Sequence, residues 1–229
     1  MNELDTIVRT VTVYAIPVLF AISLHEAAHG YVARYFGDPT ASDAGRLSLN
    51  PSRHIDPFGT ILLPLLLYIS IHVPFGYAKP VPVDFDRLRN PHRQMPWVAA
   101  AGPAANFAMG FGWMVLFALL LPRGMDEPSG EMAGFFLKMA QAGVAVNVAM
   151  FVFNLIPIPP LDGGRILTGL LPLPLARKFA RIELYGTWVF MGVVALMYLH
   201  VLDGLFLNAI GFVTRLLATL VYPLTLLLN

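Results

Sequence analysis

IVRTVTVYAIPVLFAISLHEAAHGYVARYF, residues 7–36, decides the architecture. Its few charged or metal-binding side chains are Arg9, His25, Glu26, His29 and Arg34. About 20 consecutive apolar residues cross the hydrocarbon core of a bilayer. The stretch therefore predicts a spanning helix, with Pro17 as a candidate kink and Gly37-Asp38-Pro39 as its end. It is too long for the apolar region of a signal peptide. No basic segment precedes it and no small-residue cleavage site follows. Three ionisable groups within five residues are costly in oil unless they are paired or used.

The composition extends this reading outward. The chain has 229 residues, of which 57% are hydrophobic and 13% charged, with a mean hydropathy of +0.66. Soluble domains carry about 25% charged residues, so the expectation is an all-α polytopic membrane protein. We read residues 1–229 as a single membrane-embedded domain, a helix bundle of about five spans at about 7–36, 95–121, 134–156, 184–200 and 204–228. Residues 59–73 are apolar but short, and Pro64 interrupts them, which predicts a re-entrant or interfacial segment. Residues 165–183 mix Arg165, Arg177, Lys178 and Arg181 with apolar residues and read as interfacial. Val81, Val83 and Phe85 alternate with Pro82 and Asp84, which predicts short extended pieces within 74–86. A net charge of +1 gives nucleic acid no purchase. The absence of cysteine excludes disulfides, thiolate zinc sites and cysteine nucleophiles.

Basic residues set the orientation. Arg34, Arg46, Arg53, Lys79, Arg87, Arg89 and Arg93 lie between the first two clear spans, and four more lie in 165–181, whereas the loop 122–133 holds only Arg123. The positive-inside tendency places 34–94 and 162–183 in the cytoplasm and 122–133 outside. His25, His29 and Asp162 then reach a similar depth, near the cytoplasmic face, only if 59–73 does not cross.

The chemistry is concentrated in His25-Glu26-Ala27-Ala28-His29. Histidines four apart share one helix face and can bind one ion, and the adjacent glutamate can act as general base toward a metal-activated water. Two histidines do not complete a catalytic zinc site, which usually has three protein ligands. The residues open for the third place are Asp162, His54, Asp56, His72, His92, Glu183, His200 and Asp203. Asp162 follows a proline-rich break, and a broken helix at membrane depth is tolerated where it lines a cavity. The bland alternatives are neutral bundle histidines, a turn-forming Asp162-Gly163 and a solvated turn at His54 and Asp56.

His25-Glu26-Ala27-Ala28-His29-Gly30, followed by Asn154-Leu155-Ile156-Pro157-Ile158-Pro159-Pro160-Leu161-Asp162-Gly163-Gly164-Arg165, resembles the site-2 protease family of intramembrane zinc metalloproteases. Gly45-Arg46-Leu47-Ser48-Leu49-Asn50-Pro51 and Gly102-Pro103-Ala104-Ala105-Asn106 resemble its compact prokaryotic branch. The likeness covers about residues 20–170. It implies one Zn2+ per chain held by His25, His29 and Asp162, with Glu26 as the base. It also implies a role for Asn154 in stabilising the oxyanion, beside the plainer reading of Asn154 as a helix cap. Asn106 reads as an interhelical hydrogen-bonding residue. The chain starts almost directly with the metal helix and leaves no room for a PDZ or nucleotide-sensing domain, so regulation through one is not expected.

The expected function is hydrolysis of peptide bonds within or near transmembrane segments of membrane-protein substrates, in the cell (inner) membrane. The rival readings are a divalent-cation transporter, for which the sequence lacks the usual internal repeats, and a non-catalytic membrane-binding relative.

Overall fold

A computed structural model describes residues 3–53, 56–62, 66, 79–121 and 130–228. Helix α1 (Glu3–Tyr35) carries the opening stretch and is followed by a single turn, α2 (Thr40–Asp43). Helices α3 (Pro91–Leu120) and α4 (Glu131–Asn154) are long and apolar. A bent linker leads to the short helices α5 (Asp162–Leu170) and α6 (Leu173–Ala180), and α7 (Gly186–Tyr198) and α8 (Asp203–Leu228) close the chain. The described residues contain no strand. Among the described residues, five segments are long and apolar enough to cross a membrane: Ile7–Tyr35, Pro91–Leu120, Glu131–Asn154, Leu173–Tyr198 and Asp203–Leu227.

The fourth of these departs from the sequence expectation. Helix α6, a 3-10 turn at Arg181–Tyr185 and α7 follow one another without a gap, so the stretch long and apolar enough to cross starts at Leu173 rather than at residue 184. The 13 residues of α7 rise only about 20 Å, short of the roughly 30 Å of a bilayer core. With the preceding turns the apolar stretch reaches from Leu173 to Tyr198, long enough to cross, and the exposed Arg177 and Lys178 can carry their charges outward on long stems. Of the expected re-entrant segment, residues 59–62 lie in a short π-helix, Pro57–Leu62. The remainder of 59–73, apart from Leu66, lies outside the described residues.

Helix α3 is the hub, touching α1, α4, α5 and α8. Small buried residues permit this: Ala21, Ala27, Gly30 and Ala33 on α1, and Ala99, Gly102 and Gly110 on α3. In lipid, helices associate by close packing and interhelical hydrogen bonds rather than by the hydrophobic effect. Gly143 on α4 illustrates the closeness, because a Cβ there would lie 2.6 Å from Trp113 Cε2. Met114, Val144, Val148, Val213, Leu217 and Val221 fill the junction of α3, α4 and α8. That cluster fixes α4 beside α3, and α3 carries α1 with its histidines.

Candidate metal centre and active site

The i,i+4 spacing on α1 brings His25 and His29 together edge to face, with ring centres 4.7 Å apart and Nε2 atoms 3.1 Å apart. Each ring is held from behind. His29 Nδ1 lies 2.7 Å from the carbonyl of Val98, and His25 Nδ1 lies 2.6 Å from Oδ1 of Asn106. Both partners sit on α3. The Val98 carbonyl only accepts, so His29 carries its proton on Nδ1 and turns a lone pair at Nε2 into the site. Gly102 makes room for both rings. A Cβ there would collide with His29 Nε2 and lie 2.6 Å from His25 Nε2.

Asp162 arrives from the other half of the chain. Helix α4 stops at Asn154, and Leu155–Leu161 bend back with prolines at 157, 159 and 160. Asp162 then opens α5 with its side chain buried. The two glycines after it are a packing requirement. Side chains at Gly163 and Gly164 would come within 2.5 Å of Ile156 O and of the Ile158 carbonyl carbon. This close approach draws the start of α5 against the linker and turns Asp162 toward α1. Asp162 Oδ2 lies 3.2 Å from His25 Nε2 and 3.4 Å from His29 Nε2.

Three acceptor atoms thus face one another at 3.1–3.4 Å, and Asp162 Oδ2 is buried without a hydrogen-bond donor. Such a triangle repels itself unless a cation sits in it. A single proton bridges two of the atoms, whereas a metal ion can face all three. Ligands about 2.0–2.1 Å from a tetrahedral zinc lie about 3.3 Å apart, which the triangle matches. Among the described residues this is the single group of three or more such side chains able to hold an ion.

Glu26 accepts a hydrogen bond from the Val81 N–H at 2.8 Å. It lines a cavity of about 310 Å³ together with the two histidines, Asp162, Asn154 and Arg165. Residues 79–84 form a strap across this cavity. The predicted alternation survives without a regular strand, since Val81, Val83 and Phe85 all face the cavity. The strap is tied down at several points. Arg46 donates to Lys79 O, Arg89 donates to Tyr35 O and Phe36 O, and the Asp84 N–H donates to Asp38 Oδ2 at 2.8 Å. Asp38 is fully buried and also accepts from Thr40 N and Thr40 Oγ1. Burial opposes its charge, but the donors from Thr40 and Asp84 and the nearby Arg87 outweigh burial and hold its carboxyl below the usual range.

A model of Peptidase family M50 matches residues 13–199, a range that includes all of these groups. The chain belongs to peptidase family M50. It is similar to "Putative zinc metalloprotease YwhC" of Bacillus subtilis (strain 168), with 38% identity over 176 residues, 77% of each chain. "Putative zinc metalloprotease Rip2" of Mycolicibacterium smegmatis is 31% identical over 193 residues, 84% of this chain and 69% of the relative. No solved structure matches. Family and relatives agree with the site-2 protease resemblance read from the motifs. The M50 chain is a multi-pass membrane metalloprotease with Zn2+ as its cofactor, and His25, His29 and Asp162 are the residues that fit the ion.

Other sequence-nominated residues of this M50 peptidase separate cleanly. Asn154 lines the cavity and also donates from Nδ2 to Met150 O at 3.0 Å, so the capping and site-facing readings coexist. Asp56 accepts from the backbone of Phe58 and Gly59, as a turn residue does. Glu183 pairs with Arg165 at 2.6 Å, and Asp203 pairs with His200 at 2.7 Å on the surface. His92 is not in the converging group. His54 and His72 lie outside the described residues. Sequence reasoning missed Asn147 and the bonding roles of Val81 and Asp38, and it met Gly102 only within a family-like motif. Asn147 carried a usable signal, because an amide inside an apolar span demands a partner.

Proposed function

We propose that this zinc metalloprotease cuts membrane-protein substrates within or next to their transmembrane segments, as in regulated intramembrane proteolysis, from a centre near the cytoplasmic face of the cell (inner) membrane. The observation that carries the reading is the donor-free triangle of His25 Nε2, His29 Nε2 and Asp162 Oδ2, set among helices that themselves span the bilayer. Zinc held there would supply Lewis acidity and a nucleophile at neutral pH.

The chain's own residues do the rest. Glu26 takes a proton from the attacking water as the new C–O bond forms, and delivers it to the amide nitrogen as the C–N bond breaks. Asn154 Nδ2 carries two hydrogens. Met150 O takes one and fixes the rotamer, leaving the second for the oxygen that becomes negative in the transition state. The substrate must arrive unwound, because a helix occupies its own carbonyls. Direct pairing of such a strand with the strap is limited by donors. The N–H groups of Val81 and Asp84 are taken by Glu26 and Asp38, and Pro80 and Pro82 have none.

The test is zinc content and cleavage of a model membrane substrate, measured side by side. Glu26→Gln should keep one zinc per chain and lose about 10²–10⁴-fold in rate. Asp162→Ala should lose both. Full metal content in Asp162→Ala removes that carboxylate from the ion, and cleavage by Glu26→Gln at the unmutated rate sinks the mechanism. Zinc transport by protein that never cleaves would favour the transporter reading instead.

A further inference from the structure

A line of buried amides runs from α4 through α3 to His25. Asn106 and Asn147 both have zero solvent exposure. The direction of every hydrogen bond in the line can be settled from its far end. Gly143 O only accepts, so the Asn147 atom 2.8 Å from it is the donor Nδ2. That turns Asn147 Oδ1 toward Asn106, whose Nδ2 donates to it at 3.1 Å and to Ala21 O at 3.2 Å. Asn106 Oδ1 is left to face His25 Nδ1 at 2.6 Å, where it can only accept. His25 therefore carries its proton on Nδ1 and offers the Nε2 lone pair to Asp162 and His29.

We infer that Asn147 is a positioning residue for the metal site: acting through Asn106, whose amide Ala21 O also holds, it helps fix the tautomer and ring orientation of His25. This rests on the metal-centre reading above. His29 obtains the same service from one backbone carbonyl, Val98 O, which no side-chain substitution removes. The two histidines thus have independent supports, and only that of His25 reaches α4. Two amides serving as helix glue alone would need each other and the backbone, with no requirement that the line end on an imidazole. Partners behind a metal-bound histidine commonly govern affinity by 10–100-fold.

The experiment follows ring-nitrogen ¹⁵N shifts of His25 and His29 in the full-length, metal-stripped protein in detergent, assigned by single histidine substitutions. Zinc dissociation is measured in parallel by competition with a chelator. In Asn147→Leu the expected result is a mixed tautomer at His25, an unmoved His29 and a zinc dissociation constant raised about 10–100-fold. In Asn106→Asp/Asn147→Leu a carboxylate can accept from Nδ1 without help from α4, so the His25 signature and zinc affinity should return. A His25 signature unchanged in Asn147→Leu overturns the inference. So do equal shifts at both histidines, which a merely structural role would give, and failure of the double variant to restore His25. The tautomer readout needs no metal. Protein that shows the expected shifts yet binds no zinc would overturn the metal-centre reading and leave the amide line standing.

Discussion

The HEAAH residues divide the work by where each ring or carboxylate atom points. Two nitrogens face inward, two face α3, and the glutamate between them faces the strap. Gly102 is as important to this as any ligand, because the rings occupy the volume of its missing side chain. Gly102→Ala should therefore lower zinc affinity at least tenfold, while a same-sized change at the neighbouring exposed Ala104 should leave it unaltered; chelator competition measures both. An alanine tolerated at 102 with full affinity would mean that the rings sit elsewhere. The ligand types were legible in the sequence because histidines four apart on a helix have one geometry. The Gly102 slot was not, since a glycine in an apolar span reads equally well as any close helix contact. The amide line was half legible: Asn106 stood out in its motif, and Asn147 had no spacing rule to announce it.

At the scale of elements, the strap over the cavity hangs on Asp38. Its carboxylate gathers Thr40 and Asp84 donors and joins the end of α1 to residues 79–88. Replacing it with alanine strands those half-buried donors, a cost of about 1–2 kcal/mol. The pH dependence has a definite sign. Its folded pKa lies below the unfolded value of about 3.9. The stabilisation is complete above about pH 4 and is lost as pH falls through the lower folded value. Thermal unfolding from pH 7 to pH 3 should therefore show a steeper acid loss in the unmutated protein than in Asp38→Asn. Parallel curves would show that Asp38 does not anchor the strap. Long helices were legible here from apolar length alone. The strap was not, because its path is set by side-chain anchors far apart in sequence, such as Glu26 with Val81 and Asp38 with Asp84, rather than by any repeating pattern. The break expected before residue 184 is absent, because helical turns run on from Leu173 through Tyr198 and charge along a chain does not mark the ends of helices.

For the whole molecule, the arrangement of spans and the basic loops make one joint statement about sidedness. The chain has no cysteine, so single introduced thiols report without background. Asp43→Cys and Glu131→Cys, both at exposed positions, should be labelled from opposite faces of sealed inverted vesicles, Asp43→Cys from the cytoplasmic face. Labelling of both from the same face would refute the topology.

The triangle of His25, His29 and Asp162 also joins the first helix to a segment more than 130 positions further along. In a chain without disulfides, an ion gripped there is the nearest thing to a covalent cross-link, and it closes a very long loop. Cross-links of that reach act largely by limiting how far the open chain can wander. Chelation should then do more than silence catalysis: it should unbutton the linker at 155–161 from α1, and expose that proline-rich turn to nicking by an added protease.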